Sequence, residues 1–418
     1  MARLVLFSAL CCLAISAISN AVPLTDSLLR LLNDADVKSL LDTCKSKPGG
    51  CNSQNDKAKK NRAAVKESLT RDLGEGHSKG ISNAEAEKLL QGTQSIKAAL
   101  ALANKLTGVV GYDNGLLAGD RVFKNQADID TVLGRIKGTL PSLAVDLSNP
   151  TAVVPLLGQL GRKKRANSLS LDYYRGNRWP SSTINVFIDP KIFTSSESAI
   201  IRDALRSITS QVPCMKFVEK AQEPFIDYVK VPKGTDDGTC GWSSVGYQKG
   251  RRNDVNLNFG SSICKPAIKG VIVHETLHAL GFGHEHQRND RDSYMRVNWK
   301  NVDPQALDVF DKDNPDDYNP YGKPYKELSI MHYDVYVGAA DWNKPSMTPI
   351  KNPKLASKIG NGDRMDDTDA ALLKRLYCGS PNCRDAGPNC GWRALAGECD
   401  KIKTACPKSC GICDNTSG

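Results

Sequence analysis

Leu28, Leu29, Leu31, Leu32, Val37, Leu40 and Leu41 recur among polar residues at the spacing of one helix face. Ala86, Leu89, Leu90, Ile96, Leu100 and Leu102 repeat that pattern after a cap-like Ser82-Asn83. Residues 22 to about 160 therefore predict a mainly helical, polar-surfaced region. The pattern changes after Trp179. Ile184–Ile188 reads as a strand and Ser195–Gln211 as a helix with Ile200, Ile201, Leu205 and Ile208 inward. Phe217-Val218 and Tyr228–Val231 read as further strands, and Val255–Phe259 alternates as a strand with one buried face. Ile268–Leu280 is an apolar helix. Asp311–Pro324 is loop by its Asp, Asn, Pro and Gly content. Asp366–Tyr377 closes the pattern as a helix with Ala370, Leu373 and Leu376 on its apolar face. Helices first and mixed elements after them predict an α+β fold behind a helical leader region.

The two ends add to this picture. Leu4–Ile18 is an apolar run of 15 residues behind Met1-Ala2-Arg3, short of the roughly 20 that span a bilayer. With Ser19-Asn20-Ala21 after it, residues 1–21 predict a signal peptide, and no later segment reads as a membrane span. The expected product is secreted. Of 14 cysteines, twelve lie beyond Cys11 and Cys12, an even number suited to disulfides outside the cell. They fall into three groups: Cys44 and Cys51; Cys214, Cys240, Cys264 and Cys378; and six from Cys383 to Cys413. The net charge of +10 is modest for 418 residues. Without a basic stripe and interleaved aromatics it predicts no nucleic-acid partner.

The sequence Gly161-Arg162-Lys163-Lys164-Arg165-Ala166 stands where composition changes. Its Arg-x-Lys-Arg order suits a proprotein convertase cutting between Arg165 and Ala166. Residues 22–165 would then be a propeptide.

Four of the six histidines lie within His274–His286. His274 and His278, at i and i+4, face one side of a helix, which suits two imidazoles on one Zn²⁺. Gly281 can end that helix and turn the chain, so that His284 supplies a third nitrogen. Three ligands and an open position describe a catalytic zinc rather than a structural one. Glu275 can act on water there without ligating.

The run H-E-T-L-H-A-L-G-F-G-H-E-H-Q-R-N-D-R-D from His274 to Asp292 resembles the signature of the astacin metalloendopeptidases, and Ser329–Tyr333 resembles their Met-turn. Glu285 directly after the third His, and Tyr333 two residues after Met331, separate that family from other metzincins. The resemblance implies a two-lobed metzincin catalytic domain over 166–378, with one Zn²⁺ on His274, His278 and His284. It implies that Glu275 takes the proton of the attacking water, and that Tyr333 ligates at rest and then stabilises the oxyanion. Met331 would form an apolar floor beneath the metal, with His286 and His332 structural. It further implies the pairs Cys214–Cys378 and Cys240–Cys264. Leu117-Ala118-Gly119-Asp120 is similar to the family's propeptide switch, in which the Asp takes the place of the catalytic water. Glu285 would receive the freed N-terminus, although Ala166 lies 13 residues before Trp179, further than typical members have it.

Residues 383–413 resemble a ShKT domain, ending C-x-x-S-C-G-x-C and carrying Trp392. A module of 31 residues needs disulfides to fold. The resemblance pairs Cys383–Cys413, Cys390–Cys406 and Cys399–Cys410 and implies an extracellular docking partner. The adjacent Lys-Tyr of the channel toxins is missing. Asn415-Thr416-Ser417 is a glycosylation sequon. The sequence thus predicts a secreted zymogen of a zinc endopeptidase acting on proteins or peptides. The alternative is a non-catalytic secreted binding or toxin-like protein acting through the ShKT module. The lysines at 344, 351 and 354 are a weak pointer to acidic residues near the cut.

Overall fold

A computed structural model of the chain describes residues 32–106, 109–138, 178–313 and 323–378, with 385–387, 390–395, 397–407 and 409–410 near the C-terminus. The predicted signal peptide, Arg165, Ala166, Cys383, Cys413 and Asn415 lie outside the described residues.

Among the described residues the N-terminal region holds four helices: α1 (Asp34–Ser46), α2 (Asp56–Thr70), α3 (Asn83–Ala103) and α4 (Gln126–Gly138). The first three begin where Asn33, Asn55 and Ser82 accept the N–H groups of Asp36, Ala58 and Glu85, donors that the helix cannot satisfy itself. Cys44 is bonded to Cys51 between α1 and α2.

The following lobe is a five-stranded sheet in the order β2-β1-β3-β5-β4. Its strands are β1 (Thr183–Ile188), β2 (Lys216–Glu219), β3 (Phe225–Lys230), β4 (Gly241–Ser243) and β5 (Asn253–Leu257). All pairings are parallel except that of edge strand β4 with β5. Helices α5 (Ser195–Gln211) and α6 (Ile268–Ala279) cover one face, where Ile201, Leu205 and Ile208 meet Val186, Tyr228, Val255, Ile272 and Leu277. The start of α5 is fixed by Thr194 and Glu197, each side chain capping the other's backbone N–H. Cys214 is bonded to Cys378, closing a span of 164 residues. Such a long loop constrains the unfolded chain by about 4–5 kcal/mol.

β5 departs from its alternating sequence pattern, and it shares with β3 a burial on both faces that has one physical reason. β3 is buried from Phe225 through Val229, and β5 buries Asn253, Asp254 and Asn256 as well as Val255 and Leu257. The N-terminal region covers the face that alternation assigns to solvent. Val65 and Leu69 of α2 and Leu90 of α3 pack there with Leu116, Val122 and the buried Trp242.

The second lobe is mostly irregular, with β6 (Met295–Val297) paired to β7 (Met347–Pro349) and a final α7 (Asp367–Tyr377). Val37 and Leu40 of α1 enter its core beside Met295, Leu307, Phe310 and Met347. The N-terminal region thus grips both lobes, and its segment 110–124 passes between them. Beyond α7, α8 (Cys390–Leu395) and α9 (Cys399–Ile402) are tied by Cys390–Cys406 and Cys399–Cys410. No helix among the described residues is long and apolar enough to cross a membrane.

His77 lies in the predicted propeptide, a place that suggests a solvent-exposed side chain, but the structure encloses it. Its imidazole is fully enclosed, with Nδ1 2.8 Å from Asp227 and Nε2 3.1 Å from Asp189. Phe187 lies edge-on at 4.8 Å, and Asp254 and Arg252 stand behind Asp227. Burial pulls the imidazole pKa down, but the two carboxylates outweigh it and the net shift is upward. A folded pKa raised above the unfolded value adds stability that is complete below about pH 6.5 and fades as pH rises through the folded pKa. We expect the thermal midpoint of the intact chain to fall from mildly acidic to mildly alkaline pH. In His77→Gln that slope should flatten; an equal slope in both proteins would place the pH sensitivity elsewhere.

Candidate active site

Helix α6 carries His274, Glu275 and His278, and it ends because Gly281 adopts φ +104°. That left-handed conformation favours glycine. Gly281 N–H bonds to His278 O and Phe282 N–H to Leu277 O, closing the last turn and delivering His284 beside the helix. Met331 is buried and its carbonyl accepts Glu285 N–H at 2.9 Å, so the turn at 329–333 backs this return. The turn is itself fixed by Asp369 of α7, which accepts Ser329 Oγ–H at 2.6 Å and Ile330 N–H at 3.0 Å. Disulfide Cys240–Cys264 closes the loop ahead of α6.

Each zinc-type histidine has its Nδ1 engaged. His274 Nδ1–H donates to Ile330 O (2.7 Å), His278 Nδ1–H to Phe282 O (2.8 Å) and His284 Nδ1–H to Gln287 Oε1 (2.8 Å). With Nδ1 as donor, Nε2 is a bare acceptor in the neutral ring. Burial pushes the His284 pKa down to about 3 and lowers that of His278, which keeps both neutral. The three Nε2 atoms and a carboxylate oxygen of Asp120 all lie within 4.8 Å of one another. Asp120 oxygens are 3.2 Å from His274, 3.5 Å from His278 and 3.1 Å from His284, and the Nε2 atoms of His278 and His284 are 3.1 Å apart. Acceptors facing acceptors at these distances call for a cation between them. Three imidazoles and a carboxylate are a donor set that suits tetrahedral Zn²⁺.

Asp120 reaches the histidines on a tight turn. Leu117 and Arg121 exchange backbone hydrogen bonds at 2.8 and 3.1 Å, Ala118 takes φ 53° and Gly119 φ 100°. A Cβ at Gly119 would stand 2.7 Å from Tyr333 Oη, so the close approach needs glycine. Tyr333 donates its hydroxyl to Ala118 O at 3.1 Å, and its ring stacks on His286 at 4.7 Å. Burial and the neighbouring Asp120 carboxylate hold its pKa well above the ordinary phenol value. Segment 120–122 continues along β4 in parallel, with Ser243 N–H bonding to Asp120 O and Val122 N–H to Ser243 O.

Glu275 is buried and its Oε2 has no hydrogen-bond partner. Burial, with Asp120 nearby, keeps its carboxyl well above the usual range. Such a group costs stability, which marks it as functional. Glu285 is buried too; its Oε1 accepts from Arg288 Nη1 (3.0 Å) and Lys326 N–H (2.8 Å). Burial pushes its pKa up to about 8 against the pull of Arg288. His286 meets Val309 O and His332 meets Tyr325 Oη, so both belong to the packing around the site.

Sequence reasoning missed Arg121, Gln287, Asp308, Asp313 and Asp369. Arg121 bonds to Gln287 and, at 3.2 Å, to Asp313; Asp308 accepts Ala118 N–H at 2.8 Å. Gln287 lies inside the histidine run and Asp369 in an Asp366-x-x-Asp369 capping pattern, so both left a local signal.

The family described as Astacin, a family of peptidases, matches residues 172–378. Zinc metalloproteinase nas-11 of Caenorhabditis elegans is 33% identical over 90% of this chain and 66% of its own length. For nas-10 of the same organism the share of its length is 63%, so the chain spans just under two thirds of these relatives. High choriolytic enzyme 1 of Oryzias latipes is 33% identical over 49% of this chain and 70% of its own length. A solved structure of that enzyme, a hatching-enzyme zinc protease, covers 50% of this chain and 96% of its own, with 32% identity and a TM-score of 0.41. Three imidazoles returned around a Gly281 break, a methionine turn behind them, the family match and the sequence relatives lead to one statement: the chain belongs to the astacin family.

Proposed function

We propose that this chain is a secreted, zymogen-activated zinc endopeptidase. The observation that carries the reading is the set of three Nε2 acceptors aimed at one Asp120 carboxylate, beside a buried Glu275 oxygen without a partner. Zinc, when bound, brings the pKa of a water down to about 7 and polarises a carbonyl. His274, His278 and His284 hold it, each imidazole oriented through its Nδ1. Glu275 takes the proton of the attacking water and passes it to the leaving amine. An extended substrate pairs with edge strand β4, where segment 120–122 now lies. Tyr333, released from Ala118 O, donates its hydroxyl to the oxyanion.

In this reading residues 22–165 are the propeptide. Asp120 blocks the metal position until a convertase cuts after Arg165, and Glu285 then exchanges its present partners for the new N-terminus. The bonded cysteines fit an extracellular protein. The cysteine-rich end is read as a ShKT docking module, with Asn415 glycosylated. The test is cleavage of a quenched peptide library before and after convertase treatment, with and without a chelator. Chelator-sensitive cleavage appearing only after processing is expected; processed, zinc-loaded protein that cleaves nothing would shift the function to the C-terminal module.

A further inference from the structure

Resting on the endopeptidase reading, we infer that Asp313, with Gln287, forms a subsite for a basic substrate side chain next to the cleaved bond. The observation is the occupant of that place in the covered form. Arg121 directly follows the residue that blocks the metal position, and its guanidinium lies against Gln287 Oε1 and Asp313 Oδ1. The same guanidinium is 3.4 Å from Nδ1 of the ligand His284, so the pocket adjoins the reacting centre. Its backbone pairs with Ser243 on β4, the strand an extended substrate would join. Arg121 therefore fills the space a substrate side chain would enter.

Charge strengthens the argument. Among the described residues, the cations that act on Asp313 are Arg121 and Arg135, both of the N-terminal region. The second oxygen, Asp313 Oδ2, is buried without a hydrogen-bond partner. Asp311 adds a second carboxylate near Asp313. When the N-terminal region leaves, Asp313 keeps none of these cations, and a guanidinium or ammonium from substrate restores the pair. The sign is opposite to the weak pointer from the lysines at 344, 351 and 354. Lys344 is held by exposed Asp341 and Lys351 by the Tyr294 ring, so both already have partners.

The test uses the convertase-processed full chain and matched peptides differing only in the residues flanking the cut: arginine, its neutral isostere citrulline, or glutamate. The expected result is arginine over citrulline by roughly ten- to hundred-fold in kcat/KM, the range for a charge-assisted hydrogen bond. D313N should bring that ratio near one. D313K should turn the preference toward glutamate, which controls for simple loss of packing. Cleavage without arginine preference, or preference unchanged in D313N, overturns the subsite alone. No cleavage of any peptide overturns the endopeptidase reading, and the subsite with it.

Discussion

Glu275→Gln leaves the processed chain folded and zinc-loaded and lowers kcat by roughly 10²–10⁴-fold, the usual worth of a positioned general base. The change is nearly isosteric and removes a carboxylate whose Oε2 makes no hydrogen bond, so no packing is lost. The His imidazoles keep their own partners at Ile330, Phe282 and Gln287, so the metal sites should fill equally. The expected signature is a fall in kcat with one zinc per chain by metal analysis and an unchanged thermal midpoint. A variant that keeps its activity would remove Glu275 from the chemistry and with it the endopeptidase reading.

The second large effect concerns latency. In a chain whose convertase site is blocked by Arg165→Ala, Asp120→Ala should raise peptide cleavage by a factor of roughly 10²–10³. Asp120 is buried among imidazoles whose bare Nε2 atoms offer it no proton, so its carboxylate would be held there by the cation that the four donors would share. Removing one member of a buried charged set costs about 3–5 kcal/mol, which shifts opening of the cleft by about that factor. Hydrophobic packing of α1 and α2 on the two lobes remains, so the variant should open without the N-terminal region coming away. If D120A is as silent as its parent, latency rests on that packing and on contacts such as Lys97–Asp308.

What the sequence revealed and what it hid divide by distance along the chain. The histidine ligands were legible because helix spacing and one glycine bring them together within eleven positions, from His274 to His284. Helix α5 was legible to the residue through its apolar spacing. Asp120 and Tyr333 carry no periodic signal and came only through family resemblance. His77 and Arg121 meet their carboxylates at separations of 150 and 192 residues, and nothing local announces such contacts. The same cause misled the reading of β5, whose alternation was taken to leave one face in solvent. Its polar residues look solvent-facing until the N-terminal helices are laid over them.

That cover has a consequence for handling the protein after activation. Trp242 of β4, packed in one cluster with Val122, is wholly buried beneath the N-terminal helices. Their departure wets an indole and an unpaired sheet margin at β4 in a single step. Unpaired margins recruit other strands, and contiguous apolar surface promotes self-association. In the zymogen reading proposed above, the leader region would also act as a solubility sheath, and cutting it would commit the molecule either to bind a peptide along β4 or to stick to its own kind.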